Sequence, residues 1–174
     1  MKNEKSLQID ESVVWDLLKE IKDPEIPVLS IVDLGIVREI KIQSPSSEDS
    51  SIEVVITPTY TGCPAMDMIA AAIKIEMATL DFKKVKVTHV ISPAWTTDWM
   101  SEEGKTKLKE YGIAPPNPKQ QVCSDKLFAS EEAVQCPRCH SWHTHRISEF
   151  GSTACKALYQ CDDCKEPFDY FKCH

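Results

Sequence analysis

Apolar and polar residues follow two different periods in the first half of the chain. Helical spacing of apolar residues begins after Asp10 or Ser12, ends before Pro24, and returns in the methionine-containing stretch after Pro64. Alternation of period two predicts strands over residues 36–43, 51–57 and 84–91. The resulting order of helix, strand, strand, helix and strand predicts a small two-layer α+β sandwich.

The pattern changes after the third predicted strand. Residues 101–111 have helical character and end at Gly112, and the proline-containing stretch that follows cannot continue a helix. Cysteines are then concentrated in the last 39 residues. We therefore predict an α+β domain over residues 10–112, a linker over 113–135 and a zinc-ribbon module over 136–174.

The composition restricts the class of protein. The chain has 174 residues, a formal net charge of -7 and a pI of about 5.2, which argues against a broad nucleic-acid-binding surface. It has no apolar run of membrane-spanning length, and the residues after Met1 lack a signal-peptide core. We therefore expect a cytoplasmic protein that does not bind a membrane. Eight cysteines in such a protein indicate metal or redox chemistry rather than a disulfide framework.

Two C-x-x-C pairs define the C-terminal module, with 21 residues between them. The pairs are Cys136 with Cys139 and Cys161 with Cys164. Each pair brings two sulfurs to one cation, and four thiolates complete a tetrahedral zinc site. A module of this size buries too little apolar surface to fold without metal, so we expect a structural zinc. A tetrathiolate iron site uses the same ligands and is left as an alternative.

Gly62-Cys63-Pro64 lies at the predicted turn from strand to helix. Pro64 suits the first helical position, which places Cys63 at the N-cap. There the free backbone N–H groups and the helix dipole are expected to lower the pKa of the thiol and make it reactive. Glu25 and Asp33, on a proline-rich loop, are candidates for orienting it. The alternatives are a buried cysteine that fills a turn, and acidic residues that cap turns.

Three further cysteines, Cys123, Cys155 and Cys173, lie outside the C-x-x-C pairs. Cys155 lies in a loop of small residues beside Lys156, whose charge favours a thiolate. A buried filler is an equally good interpretation of Cys155. Together with Cys63, these cysteines are candidates for a second thiolate site of the kind that an iron–sulfur cluster needs.

The end of the third predicted strand carries residues with two interpretations. Trp95 and Trp99 either anchor a partner protein or cover the open face of the small sheet. His89 falls on the apolar side of the strand, which favours a hydrogen-bonded core histidine over a metal ligand.

The motifs of the first half resemble those of the SufT-like iron–sulfur assembly family. They are Asp23-Pro24-Glu25-Ile26-Pro27, Asp33-Leu34-Gly35 and Thr61-Gly62-Cys63-Pro64. From about residue 10 onwards the chain resembles the PaaD family, which belongs to bacterial phenylacetyl-CoA epoxidase systems. The segments that carry this second resemblance are 93–100, 110–113, 136–139, 150–157 and 166–173. The chain departs from the family in its N-terminal tail, the 44–51 loop and the 117–134 linker, which leaves the role of Cys123 open.

The resemblance implies a place in aerobic phenylacetate catabolism, in which a multicomponent oxygenase converts phenylacetyl-CoA to its ring 1,2-epoxide. It implies an accessory subunit, not itself catalytic, that assists iron–sulfur cluster assembly or insertion in the reductase subunit. Cys63 matches the reactive cysteine of the family, and Glu25 and Asp33 belong to the accompanying motifs. The expected cofactors are a structural zinc and a transient iron–sulfur cluster, with Cys63 and Cys155 as candidate cluster ligands.

Three other functions are left open at this point. The chain would be a structural subunit of the oxygenase if Cys63 were inert. A second alternative is that the ribbon binds nucleic acid, a function that the acidic composition disfavours. A cysteine hydrolase would need His89 to orient Cys63. We expect the other epoxidase subunits as partners, and neither nucleic acid nor membrane.

Overall fold

The computed structural model describes residues 10–43, 49–80, 82–116 and 134–172. The chain divides into two compact units, Met1–Trp95 and Thr96–His174. This division groups residues 96–112 with the second unit, whereas the sequence pattern alone grouped them with the first domain. Most of the predicted linker, including Cys123, lies outside the described residues.

The first unit has the predicted order of elements. They are α1 Glu11–Glu20, β1 Val37–Gln43, β2 Ser51–Ile56, α2 Ala65–Ala78 and β3 Lys84–His89. The sheet order is β1-β2-β3, with β1 antiparallel and β3 parallel to β2. A parallel pair needs a crossover connection, and α2 provides it between β2 and β3. The predicted α+β fold is confirmed.

The core of the first unit follows the two periods of the sequence. The residues of β2 that are at most 1% exposed alternate along the strand: Ile52, Val54 and Ile56. The residues of α2 that are at most 1% exposed recur at every fourth position: Ile69, Ile73 and Met77. One face of the sheet and one stripe of the helix therefore form the two apolar layers.

The proline-rich loop between α1 and β1 also belongs to this core. Asp23 Oδ1 accepts hydrogen bonds from the backbone N–H groups of Glu25 at 2.8 Å and Ile26 at 2.7 Å. Ser30 and Asp33 each donate a backbone N–H to the side-chain oxygen of the other, at 3.0 and 2.9 Å. These bonds form two turns that bury apolar side chains at most 2% exposed: Ile26, Leu29, Ile31, Leu34 and Ile36. Both aspartates therefore cap turns.

Trp95 covers the same loop. Its side chain is 3% exposed, and its indole Nε1–H donates a hydrogen bond to the Leu34 carbonyl oxygen at 2.8 Å. A buried indole needs such a partner, and the loop carbonyl would otherwise be left without this donor. A buried side chain is not available as a partner anchor, and the contact shown for Trp95 is with the loop rather than with the open face of the sheet, as the second interpretation had it.

His89 is exposed, so its interpretation as a core histidine is wrong. It is the last residue of β3, and β3 is an edge strand of the sheet. The apolar side of an edge strand is covered less completely than that of a central strand. Even Val85 and Val87, on the same side, are only half-buried.

The second unit begins with a 3-10 turn, Thr97–Trp99, and the helix α3, Glu102–Tyr111. Ser101 caps α3, because its Oγ accepts a hydrogen bond from the Gly104 N–H at 2.8 Å. Gly112 ends the helix in the left-handed region, with φ of 94°. The strands that follow are β4 Ile113–Ala114, β5 Thr144–Ser148, β6 Lys156–Cys161 and β7 Pro167–Phe171. Their order in the sheet is β4-β7-β6-β5.

The core of the second unit combines a few aromatic side chains, small aliphatic ones and two cysteines. The ring of Tyr159 lies 6.0 Å from that of Phe168 and 5.5 Å from that of Tyr170, measured between centroids. Cys136 and Cys161 are fully buried in the same cluster. The sulfurs thus extend an apolar core that is small by itself.

Replacing Trp95 by Phe should destabilise the first unit. The change removes the hydrogen bond to the buried Leu34 carbonyl and leaves a small void, at a cost of about 1–3 kcal/mol in the free energy of unfolding. Urea denaturation followed by circular dichroism measures this loss. The matched control is Trp142→Phe at a residue that is 55% exposed, where we expect a change within about 0.5 kcal/mol. Equal effects of the two substitutions would contradict the assignment.

Candidate functional site

The two C-x-x-C pairs meet in the second unit. The sulfurs of Cys136, Cys139, Cys161 and Cys164 all lie within 4.8 Å of one another. Across the pairs, the Sγ atoms of Cys136 and Cys164 are 3.8 Å apart, and those of Cys139 and Cys161 are 3.5 Å apart. A tetrahedral ion with metal–sulfur bonds of about 2.3 Å requires sulfur separations of about 3.8 Å. The four thiols therefore fit one metal ion.

Equivalent backbone turns position the two pairs. The N–H of His140 donates to the Cys136 carbonyl, and the N–H of Lys165 donates to the Cys161 carbonyl, both at 3.0 Å. His140 and Lys165 each follow the second cysteine of a pair and have positive φ angles of 62° and 64°. Residues other than glycine rarely adopt this backbone conformation. The C-x-x-C spacing predicts such a turn, or knuckle, at each pair, but it does not predict the positive φ angles, because neither position is a glycine.

The thiols of Cys161 and Cys139 differ in proton affinity. The backbone N–H groups of Cys164 and Asp163 stabilise the Cys161 thiolate and lower its pKa to about 7. The Ser141 N–H favours the Cys139 thiolate, but desolvation and the neighbouring thiols outweigh it and raise the pKa of Cys139 to about 12. Several negative sulfurs therefore cannot coexist here without a cation, which would displace the remaining protons.

The described histidines of the ribbon are not part of the sulfur group. His143 Nδ1 is 3.3 Å from an oxygen of Asp163, and His145 Nδ1 is 3.0 Å from an oxygen of Asp162. Among the described residues, the group whose ligand atoms converge contains cysteines only. His143 and His145 thus contact the two aspartates between Cys161 and Cys164 and do not join the sulfurs.

Cys155 is buried at 3% exposure and is not one of the four converging thiols. Its Sγ lies 3.0 Å from the Thr153 hydroxyl. The ammonium of Lys156 lies 3.5 Å from Asp169, so its charge is shared with a carboxylate. These contacts fit the interpretation of a buried filler. Cys123 and Cys173 lie outside the described residues, and the predicted second thiolate site stays a prediction.

Cys63 lies at the start of α2, but one position earlier than expected. The helix begins at Ala65 with Pro64 as its N-cap, and Cys63 is half-buried just before the cap. Desolvation raises the pKa of the Cys63 thiol, and the carboxylates of Glu25 and Asp23 raise it further. The Ala65 N–H and the Tyr60 side chain oppose this shift without overcoming it. The prediction of a lowered thiol pKa is therefore wrong.

The acidic partners of Cys63 differ in part from those expected. Glu25 acts on the thiol, as predicted, and Asp23 acts on it although sequence reasoning did not single it out. Asp33 forms the turn with Ser30 through its side chain. The Asp-Pro-Glu spacing is the signal that would have indicated Asp23, because it puts both carboxylates in one tight turn.

Two family profiles match the chain, one in each half. "Iron-sulfur cluster assembly protein" matches residues 11–89, and "PaaD zinc beta ribbon domain" matches residues 120–172. A protein of Escherichia coli strain K12, the D subunit of a "Putative 1,2-phenylacetyl-CoA epoxidase", is 51% identical over 160 residues, covering 92% of this chain and 91% of the relative. The chain belongs to the PaaD family. The match to both halves distinguishes PaaD from proteins that have the assembly domain alone.

Relatives that have the assembly domain alone match only the first part of this PaaD-family chain. "Fe-S protein maturation auxiliary factor" of Porphyromonas gingivalis is 33% identical over 107 residues, covering 61% of this chain and 96% of the relative. A solved domain of unknown function, DUF59, from Bacillus anthracis superposes with a TM-score of 0.50 at 27% identity, covering 56% of this chain and 90% of that one. Among the described helices, none has the length and hydropathy needed to cross a bilayer.

Replacing Glu25 by Gln should make Cys63 more reactive. The change removes a negative charge that disfavours the thiolate, so the pKa of Cys63 should fall and alkylation by iodoacetamide should accelerate about two- to five-fold. Peptide-mapping mass spectrometry at about pH 8 measures the rate at Cys63 alone. Glu39→Gln, at an exposed position on β1, is the matched control and should leave the rate unchanged. An unchanged rate in Glu25→Gln would contradict the assignment of this partner.

Replacing Cys136 by Ser should remove the metal and unfold the second unit. Three thiolates and a hydroxyl hold a soft cation less tightly than four thiolates, and the small core depends on the ion. Metal analysis and near-ultraviolet circular dichroism follow both losses. Cys155→Ser is the matched control, because it changes a buried cysteine outside the group and should retain one metal ion per chain. Loss of metal from both variants would contradict the four-cysteine assignment.

Proposed function

We propose that this chain is an accessory subunit of a multicomponent phenylacetyl-CoA epoxidase that handles iron or an iron–sulfur cluster through Cys63. The client is the iron–sulfur reductase of the system. The observation that carries the proposal is a half-buried thiol whose pKa is raised by desolvation and by the negative charges of Glu25 and Asp23. The match of residues 11–89 to iron–sulfur assembly proteins and the likeness to an epoxidase component support it.

The electrostatics of Cys63 suit capture of a cation better than nucleophilic attack. A thiol with a raised pKa is protonated near neutral pH and is a poor nucleophile. Two neighbouring carboxylates attract a ferrous ion, which then displaces the thiol proton. Iron is therefore the cargo in this proposal, and Glu25 and Asp23 favour its approach. The same charges disfavour the cysteine hydrolase.

Thr57 gives separate support for a functional loop. It is 1% exposed, and its hydroxyl has no hydrogen-bond partner within the described part of the chain. Thr57 directly follows β2, at the root of the loop that ends at Cys63. A buried hydroxyl of this kind calls for an explanation, and a functional role of the loop supplies one.

Zinc is the metal that we propose for the ribbon. Four thiolates at tetrahedral separations suit zinc, which would supply folding energy and no open coordination position. The ribbon then presents a surface to the other epoxidase subunits. Thiols that serve as metal ligands belong in a reducing compartment, so the cytoplasm is part of the proposal. The net charge of -7 disfavours nucleic acid as a partner.

Replacing Cys63 by Ser should abolish iron and sulfide binding and leave the ribbon metal in place. After anaerobic reconstitution with ferrous ion and sulfide, the wild type should contain iron, acid-labile sulfide and one zinc per chain. The variant should contain zinc alone, because a serine hydroxyl does not replace a thiolate for iron. Cys155→Ser is the control for a second thiol and tests the predicted ligand role of Cys155 directly.

The client is tested by co-expressing the reductase with either form of the chain. Its cluster content should fall with Cys63→Ser and recover with the wild type. Normal reductase clusters with Cys63→Ser would overturn the proposal and favour a purely structural role. Zinc missing from both forms, with iron in its place, would overturn the assignment of the ribbon metal.

A further inference from the structure

A groove lies on the second unit, and none of the four metal-site cysteines lines it. Its volume is about 140 Å³. Its walls include Pro115, which follows β4, Pro137 in the first knuckle, and the rings of Trp142 and Tyr170. Lys109, in the last turn of α3, lines its rim. All these residues belong to one unit, so the groove is a property of that unit alone.

The volume of the groove matches a single aromatic ring. An apolar cavity of about 150 Å³ accommodates benzene. Proline rings and aromatic faces form most of the wall, and they pack well against a flat apolar group. An aliphatic chain of equal volume would leave the flat surfaces incompletely covered. The size and the shape therefore favour a phenyl-like occupant.

The charge at the rim defines the rest of the occupant. Lys109 is exposed. Apart from the tyrosine hydroxyl, it is the ionisable side chain among the described residues that line the groove. In the described segments, no carboxylate lies within ion-pair distance of its ammonium, whereas Lys105 and Lys107 of the same helix pair with Glu102 and Glu103. An occupant with a carboxylate beside its ring would supply the missing partner.

We propose that this groove docks a segment of a partner protein that presents one phenylalanine-like ring next to an acidic residue. Trp142, which lines the groove, is 55% exposed. Exposed tryptophans of this kind form the centres of protein interfaces. The proposal concerns the second unit and does not depend on the role of Cys63, so either one can fail without the other.

Three short peptides test the groove on the metal-loaded full chain. The probes are the acetylated, amidated tripeptides Glu-Phe-Glu, Lys-Phe-Lys and Glu-Ala-Glu, followed by shifts of backbone and indole N–H resonances. We expect Glu-Phe-Glu to shift the Trp142 indole and to bind about two- to five-fold more tightly than Lys-Phe-Lys. Glu-Ala-Glu should not bind, because it lacks the ring. Binding of all three peptides with equal affinity would overturn the proposal.

Charge-reversal variants separate binding from folding, because loss of folding cannot reverse the order of two peptide affinities. Lys109→Glu should reverse the order, so that Lys-Phe-Lys binds more tightly than Glu-Phe-Glu. Lys107→Glu, on the same helix but not lining the groove, should keep the original order. Trp142→Ala should abolish binding, whereas Phe150→Ala, at a ring that is 62% exposed outside the groove, should not. An order unchanged by Lys109→Glu would overturn the role of the lysine.

Other occupants give distinct results. If free phenylacetate produces the same shifts with equal affinity, the groove is a small-molecule site and the proposal fails. If Glu-Phe-Glu binds only after Leu127 and Phe128 are both replaced by Ala, a segment of this chain is the occupant and the proposal fails. If the shifts depend on protein concentration without peptide, the occupant is a second copy, and the proposal fails as well.

Discussion

Four sulfurs cannot remain negatively charged within 4.8 Å of one another unless a cation lies between them. The second unit is built on this constraint. Its strands are short, its apolar core contains a few aromatic rings, and two of the four cysteines are themselves members of that core. A metal ion therefore supplies what apolar burial in so small a unit does not, and the knuckle turns hold the sulfurs where the ion needs them.

The isolated thiol of the first unit, Cys63, has a different environment. No converging group of thiols surrounds Cys63 in the described residues, and carboxylates take the place of neighbouring sulfurs. Partial burial and the charges of Glu25 and Asp23 keep the sulfur protonated. One chain thus combines a group of four converging thiols with a single thiol whose pKa is raised. In the proposed function, the four thiols hold a structural ion and the single thiol receives iron as cargo.

The proline-rich loop joins stability to the environment of Cys63. Its apolar side chains fill the core, while its aspartates use their oxygens to close turns. Asp23 both caps a turn and acts on Cys63, so the carboxylate is fixed in position by the backbone that it supports. Trp95 holds the far end of the same loop through the Leu34 carbonyl. The electrostatics near the thiol therefore depend on packing that is continuous with the core.

The sequence by itself determined the features that depend on residues close together in the chain. Periods of two and of about four residues predicted the strands and helices of the first unit, and the spacing of the two cysteine pairs predicted the four-sulfur group. The tertiary structure alone decided burial, because burial depends on which distant segments cover a side chain. It made His89 exposed at an edge strand and Trp95 buried against a loop. It also raised the pKa of Cys63, because desolvation and two carboxylates outweigh the backbone N–H groups that sequence position had indicated.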